Sequence, residues 1–132
     1  MASVELTQEN FDQTITTNDI VLVDFWAGWC GPCRSFAPTY EAASEKHEGI
    51  VFGKVDTEAQ QELASAASIR SIPTLMVFRE KVLVFSQPGA LPPAGLEELI
   101  TAVKGLDMAD VHKQVAAAAS AASAPAASAP AN

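Results

Sequence analysis

Ile20-Val21-Leu22-Val23-Asp24-Phe25-Trp26-Ala27-Gly28-Trp29-Cys30-Gly31-Pro32-Cys33-Arg34 is the stretch that decides the fold. Its first half is a nearly continuous apolar run, the pattern of a strand buried on both faces. Pro32 suits the first turn of a helix, where its missing N–H would have no partner anyway. Two cysteines therefore stand where a buried strand hands over to a helix N-terminus, with its free N–H groups and partial positive charge. A thiolate is stabilised there, so the pKa of Cys30 is expected to fall below the ordinary thiol value of about 8.5. Cys33 lies one helical turn on, and the two sulfurs can close into a disulfide.

Reading outward, a helix is expected from Pro32 to His47 and a second strand from Ile50 to Val55. A short helix follows over Gln60–Ala67. Thr74–Phe78 and Val82–Phe85 read as two strands of a hairpin. Leu96, Leu99, Ile100 and Val103 mark an amphipathic helix. Upstream, Thr7 is placed to cap a helix carrying Phe11 and Ile15. The order α-β-α-β-α-β-β-α belongs to an α/β fold, with parallel strands joined by helices and an antiparallel edge. Glu80-Lys81 sits in the hairpin turn. Neither residue favours positive φ, so an open loop is expected there instead of a tight primed turn.

Composition bounds the possible functions. Eight basic against sixteen acidic residues give a net charge of −8, which argues against nucleic-acid binding. Two cysteines are too few for a disulfide-rich secreted scaffold. No apolar run approaches the length of about 20 residues that a membrane span needs. The start, MASVELTQENF, lacks a basic n-region and an apolar h-region, so a cytoplasmic location is expected. Residues 116–132 hold eleven Ala, three Ser, two Pro and one Asn, a composition that cannot build a core. We therefore expect one domain over 1–106 and a low-complexity Ala/Ser/Pro tail over 107–132. Met108, Val111 and Val115 fall at helical spacing, so the tail should begin as a marginal helix and fray into disorder by Pro125. Its deletion should change little.

A lone CxxC admits several readings. As a structural staple it would close a very short loop and stabilise by only about 2 kcal/mol. As a zinc site it supplies two of four ligands, and His47 and His112 stand without motif spacing. Two inert core thiols would not need the strand-to-helix setting.

The motifs narrow these alternatives. Trp29-Cys30-Gly31-Pro32-Cys33 resembles the active-site motif of the thioredoxin family. Val21–Ala27, Ile69-Arg70-Ser71-Ile72-Pro73-Thr74-Leu75 and Pro88-Gly89-Ala90 also look like that family's segments, at the right spacing, over about residues 5–106. The resemblance implies a thioredoxin fold: a central mixed sheet of four or five strands with helices on both faces. It implies a protein disulfide reductase that maintains cytosolic redox homeostasis. Cys30 would be the nucleophile and Cys33 the resolving thiol, tuned by Gly31 and Pro32 between them. Asp24, inside an apolar strand, should have a raised pKa and exchange a proton with Cys33. Lys54 would keep Asp24 partly ionised. Pro73 matches the family's cis proline. Trp29, Ile72, Pro73, Thr74, Gly89 and Ala90 would form the surface that receives a client.

The same resemblance implies no bound cofactor or metal beyond the redox-active disulfide Cys30–Cys33. It implies disulfide-bearing client proteins and an NADPH-dependent flavin reductase as partners, and a monomer. Oxidants of this fold usually carry histidine between the cysteines, and here the pair is Gly31-Pro32. A thiol oxidase or isomerase, and a non-enzymatic binding subunit of the same fold, are the competing readings. Ser71 departs from the glycine found in many members.

Overall fold

A computed structural model of the chain describes residues 3–122. Five strands form one sheet in the order β1-β3-β2-β4-β5: β1 (Ser3–Glu5), β2 (Ile20–Trp26), β3 (Val51–Asp56), β4 (Thr74–Arg79) and β5 (Val82–Pro88). β1 and β2 run parallel to β3, while β4 and β5 are antiparallel to their neighbours. The helices are α1 (Phe11–Thr17), α2 (Gly31–Lys46), α3 (Gln61–Ala66), α4 (Pro93–Lys104) and α5 (Met108–Ala122).

β2 is central and its side chains alternate between two cores, as a period of two requires. Ile20 and Leu22 join Phe36 and Tyr40 of α2 and Leu96 and Ile100 of α4. Val21, Val23 and Phe25 join Ile15 of α1, with Leu63 of α3 packed against them. Helices thus cover both faces. Asp24 has the parity of Ile20 and Leu22, which places a carboxylate among apolar neighbours on the α2 side of the strand.

Three features differ from the sequence reading. β1 was not expected, because three residues at the chain start carry no periodic signal. Gly53 does carry one. A Cβ there would lie 2.8 Å from Leu6 Cγ, so the glycine makes room for Leu6, the buried residue that follows β1. Thr7 does not cap α1 with its hydroxyl. Asn10 precedes the helix, and Thr7 contributes its carbonyl, which accepts from Phe11 N at 2.9 Å. The β4–β5 turn is tight: Arg79 pairs with Val82, and Glu80 and Lys81 take φ of 50° and 72°. Such a conformation costs a non-glycine residue roughly 1–2 kcal/mol. Tertiary bonds offset that cost. Glu80 N donates to Asp19 O at 2.8 Å, and the Glu80 carboxylate meets His112 Nε2 of α5 at 2.7 Å. The helix expected at the start of the tail is present as α5, Met108–Ala122, and Met108 is buried at 7% exposure. The expected fraying at Pro125 lies outside the described residues.

Arg79, the last residue of β4, joins the sheet to α4. Its Nη1 donates to Val103 O, Lys104 O and Leu106 O at 2.7, 3.1 and 3.2 Å, carbonyls at and just past the C-terminal end of α4. Arg79→Met keeps much of the apolar stem and removes the donor. It should destabilise the fold by about 1–3 kcal/mol, read as a lower urea midpoint at unchanged slope.

Candidate functional site

The site lies where β2 ends and α2 begins. Cys30 is the N-cap of α2, Gly31 and Pro32 open its first turn, and Cys33 follows one turn later. The two cysteines are disulfide-bonded, and Cys30 Sγ accepts from Cys33 N at 3.2 Å. The helix N-terminus therefore already points a backbone donor at the sulfur that would carry charge as a thiolate. Cys33 is 3% exposed and Cys30 is 4% exposed, and they pack with Ala27, Trp26 and Ile72.

Asp24 is buried at 1% exposure, and neither carboxylate oxygen has a hydrogen-bond partner among the described residues. Burial pushes its pKa up to about 7, and the nearby Lys54 ammonium pulls in the opposite direction. The β2–β3 register sets Lys54 beside Asp24. Lys54 Nζ sits over the Trp26 ring at 4.9 Å, which ties the cation to the same strand pair. Tyr40, absent from the sequence reading, borders this group. Its hydroxyl donates to Gly53 O at 2.7 Å, and burial followed by the Asp24 charge holds its phenol well above the ordinary range.

The other expected residues arrive through β4 and β5. The Ile72–Pro73 bond is cis, and Ile72 O lies 3.8 Å from Cys30 Sγ. Thr74 Oγ1 donates to Ser71 O at 2.6 Å, which fixes the approach to β4. Gly89, with φ of 102°, donates its N–H to Pro73 O at 2.8 Å, bringing the 88–90 stretch alongside the proline. This is a conformation that glycine adopts at little cost. Trp29 is 68% exposed and its Nε1 donates to Glu58 Oε2 at 3.4 Å.

Trp29, Cys30, Gly31, Pro32 and Ile72 line a cleft of about 420 Å³. Pro73, Thr74, Gly89 and Ala90 do not line it: Gly89 and Ala90 are exposed, whereas Pro73 and Thr74, expected at the client surface, are buried where the chain turns into β4. The cleft's far wall comes from Thr57, Ala64, Ile69, Arg70 and Ser71. Glu58 and Thr57 belong to the loop after β3, and the rule that sites gather at the carboxyl ends of parallel strands could have found them. Among the described residues, no group of three or more His, Cys, Asp or Glu could hold a metal ion. None of their helices is long and apolar enough to cross a membrane.

A family model described as Thioredoxin matches residues 2–102. The chain is 62% identical over 115 residues to "Putative thioredoxin 2" of Streptomyces coelicolor, covering 87% of this chain and 86% of that protein. Since 115 residues exceed the 106 that precede Asp107, that match reaches α5. Identity to "Thioredoxin 1" of Nostoc sp. is 42% over 101 residues, with 75% and 94% covered. The solved structure of Plasmodium falciparum thioredoxin superposes with a TM-score of 0.69 at 37% identity, covering 75% of this chain and 96% of that one. A mixed five-stranded sheet with a redox-active CxxC pair at a helix N-terminus defines a thiol–disulfide oxidoreductase. Within that class the chain belongs to the thioredoxin family, and its activity is the reduction of protein disulfides. Its partners are accordingly disulfide-bearing proteins and a thioredoxin reductase.

Proposed function

We propose that reduction proceeds through Cys30 as nucleophile and Cys33 as resolving thiol. The observation that carries this is the position of Cys30 Sγ at the α2 N-cap, against the Cys33 amide at 3.2 Å. In the dithiol state the Cys30 thiolate attacks one client sulfur, forming a mixed disulfide and expelling the other client sulfur as a thiolate. Cys33 then gives its proton to the Asp24 carboxylate and attacks Cys30 Sγ. The Cys30–client bond breaks, the second client thiolate leaves, and two electrons have passed to the client. An Asp24 pKa of about 7 suits the transfer, since both forms are populated near neutrality. Lys54 biases Asp24 toward ionisation. Trp29, Ile72, Gly89 and Ala90 offer the client a largely apolar surface and backbone for strand-like pairing, and the buried Pro73 and Thr74 hold that backbone from beneath.

The disulfide itself is the redox group, with no bound cofactor and no metal. Electrons come from a flavin-dependent reductase that uses NADPH, and the protein works as a monomer in the cytoplasm. Residues 1–106 form the reductase unit and 107–132 an appendage. Equilibration against glutathione tests the direction of electron flow. A potential near about −270 mV, which is the reference value of thioredoxin itself, fits a reductant. A value of about −180 mV or higher would make the protein an oxidant or isomerase.

Truncation after Leu106 should leave reduction of a protein disulfide within about twofold, since α5 contributes nothing to the cleft lining. It should cost about 2 kcal/mol of stability, because Met108 loses its burial. Loss of activity in a truncated protein that remains folded by circular dichroism would refute the appendage reading.

A further inference from the structure

The client cleft carries one charge. Of the residues lining it, Arg70 alone is ionised; the rest are apolar or neutral, among them Trp29, Ala64, Ile69 and Ile72. The three arginines of the chain differ in what holds them. Arg34 Nη1 donates to Gly28 O at 2.8 Å, and Arg79 is fixed to the end of α4. Arg70 is exposed and has no hydrogen bond or ion pair among the described residues. The acidic group nearest in role, Glu58, bonds to Trp29 instead. A guanidinium at the edge of an apolar cleft, with its fork of donors unused, is suited to bidentate capture of a carboxylate.

Its position relative to the reacting sulfur follows from the chain. Ile72 O is 3.8 Å from Cys30 Sγ, and Arg70 precedes Ile72 by two residues, at most about 7 Å along an extended backbone. A client paired as a strand along this segment has a side chain level with Arg70 two residues from the one level with Ile72. The body of the protein, at net charge −8, repels acidic chains at long range. A local cation therefore acts as a reader of one position and not as a general attractant.

We propose that Arg70 is a specificity-determining residue that favours clients carrying Asp or Glu about two residues from the attacked cysteine. The proposal rests on the disulfide-reductase reading. It can be tested with symmetric disulfide dimers of a single-cysteine peptide, bearing Glu, Gln or Lys two residues to either side of the cysteine. The pre-reduced full-length protein is mixed with each dimer at low salt, and the products of a single turnover are separated after an acid quench. The wild type should reduce the Glu dimer about two- to fivefold faster than the Gln dimer, the range of a partly exposed ion pair. Added salt should shrink that ratio. Arg70→Gln should bring it to about one, and Arg70→Glu should reverse the order in favour of the Lys dimer. A Glu-to-Gln ratio unaltered by Arg70→Gln would overturn the assignment. Failure of the wild type to reduce any dimer faster than Cys30→Ser would instead bring down the reductase reading, and the role of Arg70 with it.

Discussion

Cys30→Ser protein is expected to lose disulfide reduction by a factor on the order of 10³ or more, while Cys33→Ser becomes trapped on its client. The asymmetry follows from position. Cys30 lines the cleft and caps α2, so its thiolate meets both the client and the stabilising amide. Both sulfurs are almost fully buried, but Cys33 does not line the cleft, so it is not expected to replace Cys30 as the attacking group. In Cys33→Ser the first displacement still occurs, and nothing within the protein breaks the mixed disulfide. Mass spectrometry of an acid-quenched mixture should show a covalent adduct of one protein with one client chain. Free multiple turnover by Cys33→Ser at the wild-type rate would remove Cys33 from the mechanism.

Asp24→Asn should stabilise the protein at alkaline pH and leave it nearly unchanged in acid. The carboxyl has a pKa of 3.8 as a free group and about 7 when folded, chiefly because it is buried. Between those values the folded state holds a proton that the unfolded state has released. Stability therefore falls as pH rises through this window; the loss is absent below about pH 4 and complete above about pH 7. A shift of roughly three units corresponds to about 4 kcal/mol. Asparagine has no charge to bury and should escape that loss. Urea unfolding of the oxidised proteins across the pH range should give wild-type and variant curves that diverge between about pH 4 and pH 7, and parallel curves would contradict the assignment. The same substitution should slow client release by about 10²-fold near neutral pH, because Cys33 loses its proton acceptor. The functional group is thus retained against a stability cost.

How much of this could be read from residues depends on how local the information is. β2 and the CGPC turn were legible because strand, helix start and both thiols lie within fifteen consecutive residues. The alternation of Val21, Val23 and Phe25 against Ile20 and Leu22 then fixes which face each helix covers. β1 was not legible, since its pairing with β3 is a property of the sheet and its only trace is the room left at Gly53. The tight turn at Glu80-Lys81 defied local preference because Asp19 and His112 hold Glu80 from other elements. Within the site, Asp24 and Lys54 were legible as residues, but their juxtaposition comes from the β2–β3 register. Glu58 and Arg70 carried no motif of their own. Their relation to Trp29 and Cys30 exists only once the loops after β3 and before β4 have been brought to one end of the sheet.

That last dependence reaches the chemistry of a chain that has not finished folding. Ile72 meets Cys30 because β2 and β4 pair antiparallel, with Phe25 opposite Thr74, across a separation of 42 residues from Cys30 to Ile72. Until that pairing closes, the dithiol lacks the Ile72 wall and keeps only the local contact that the Cys33 amide makes with Cys30 Sγ. The rate at which an alkylating reagent captures Cys30 is consequently a clock for sheet assembly. A nascent or misassembled copy gains the reductase's reactivity only when its strands are in register.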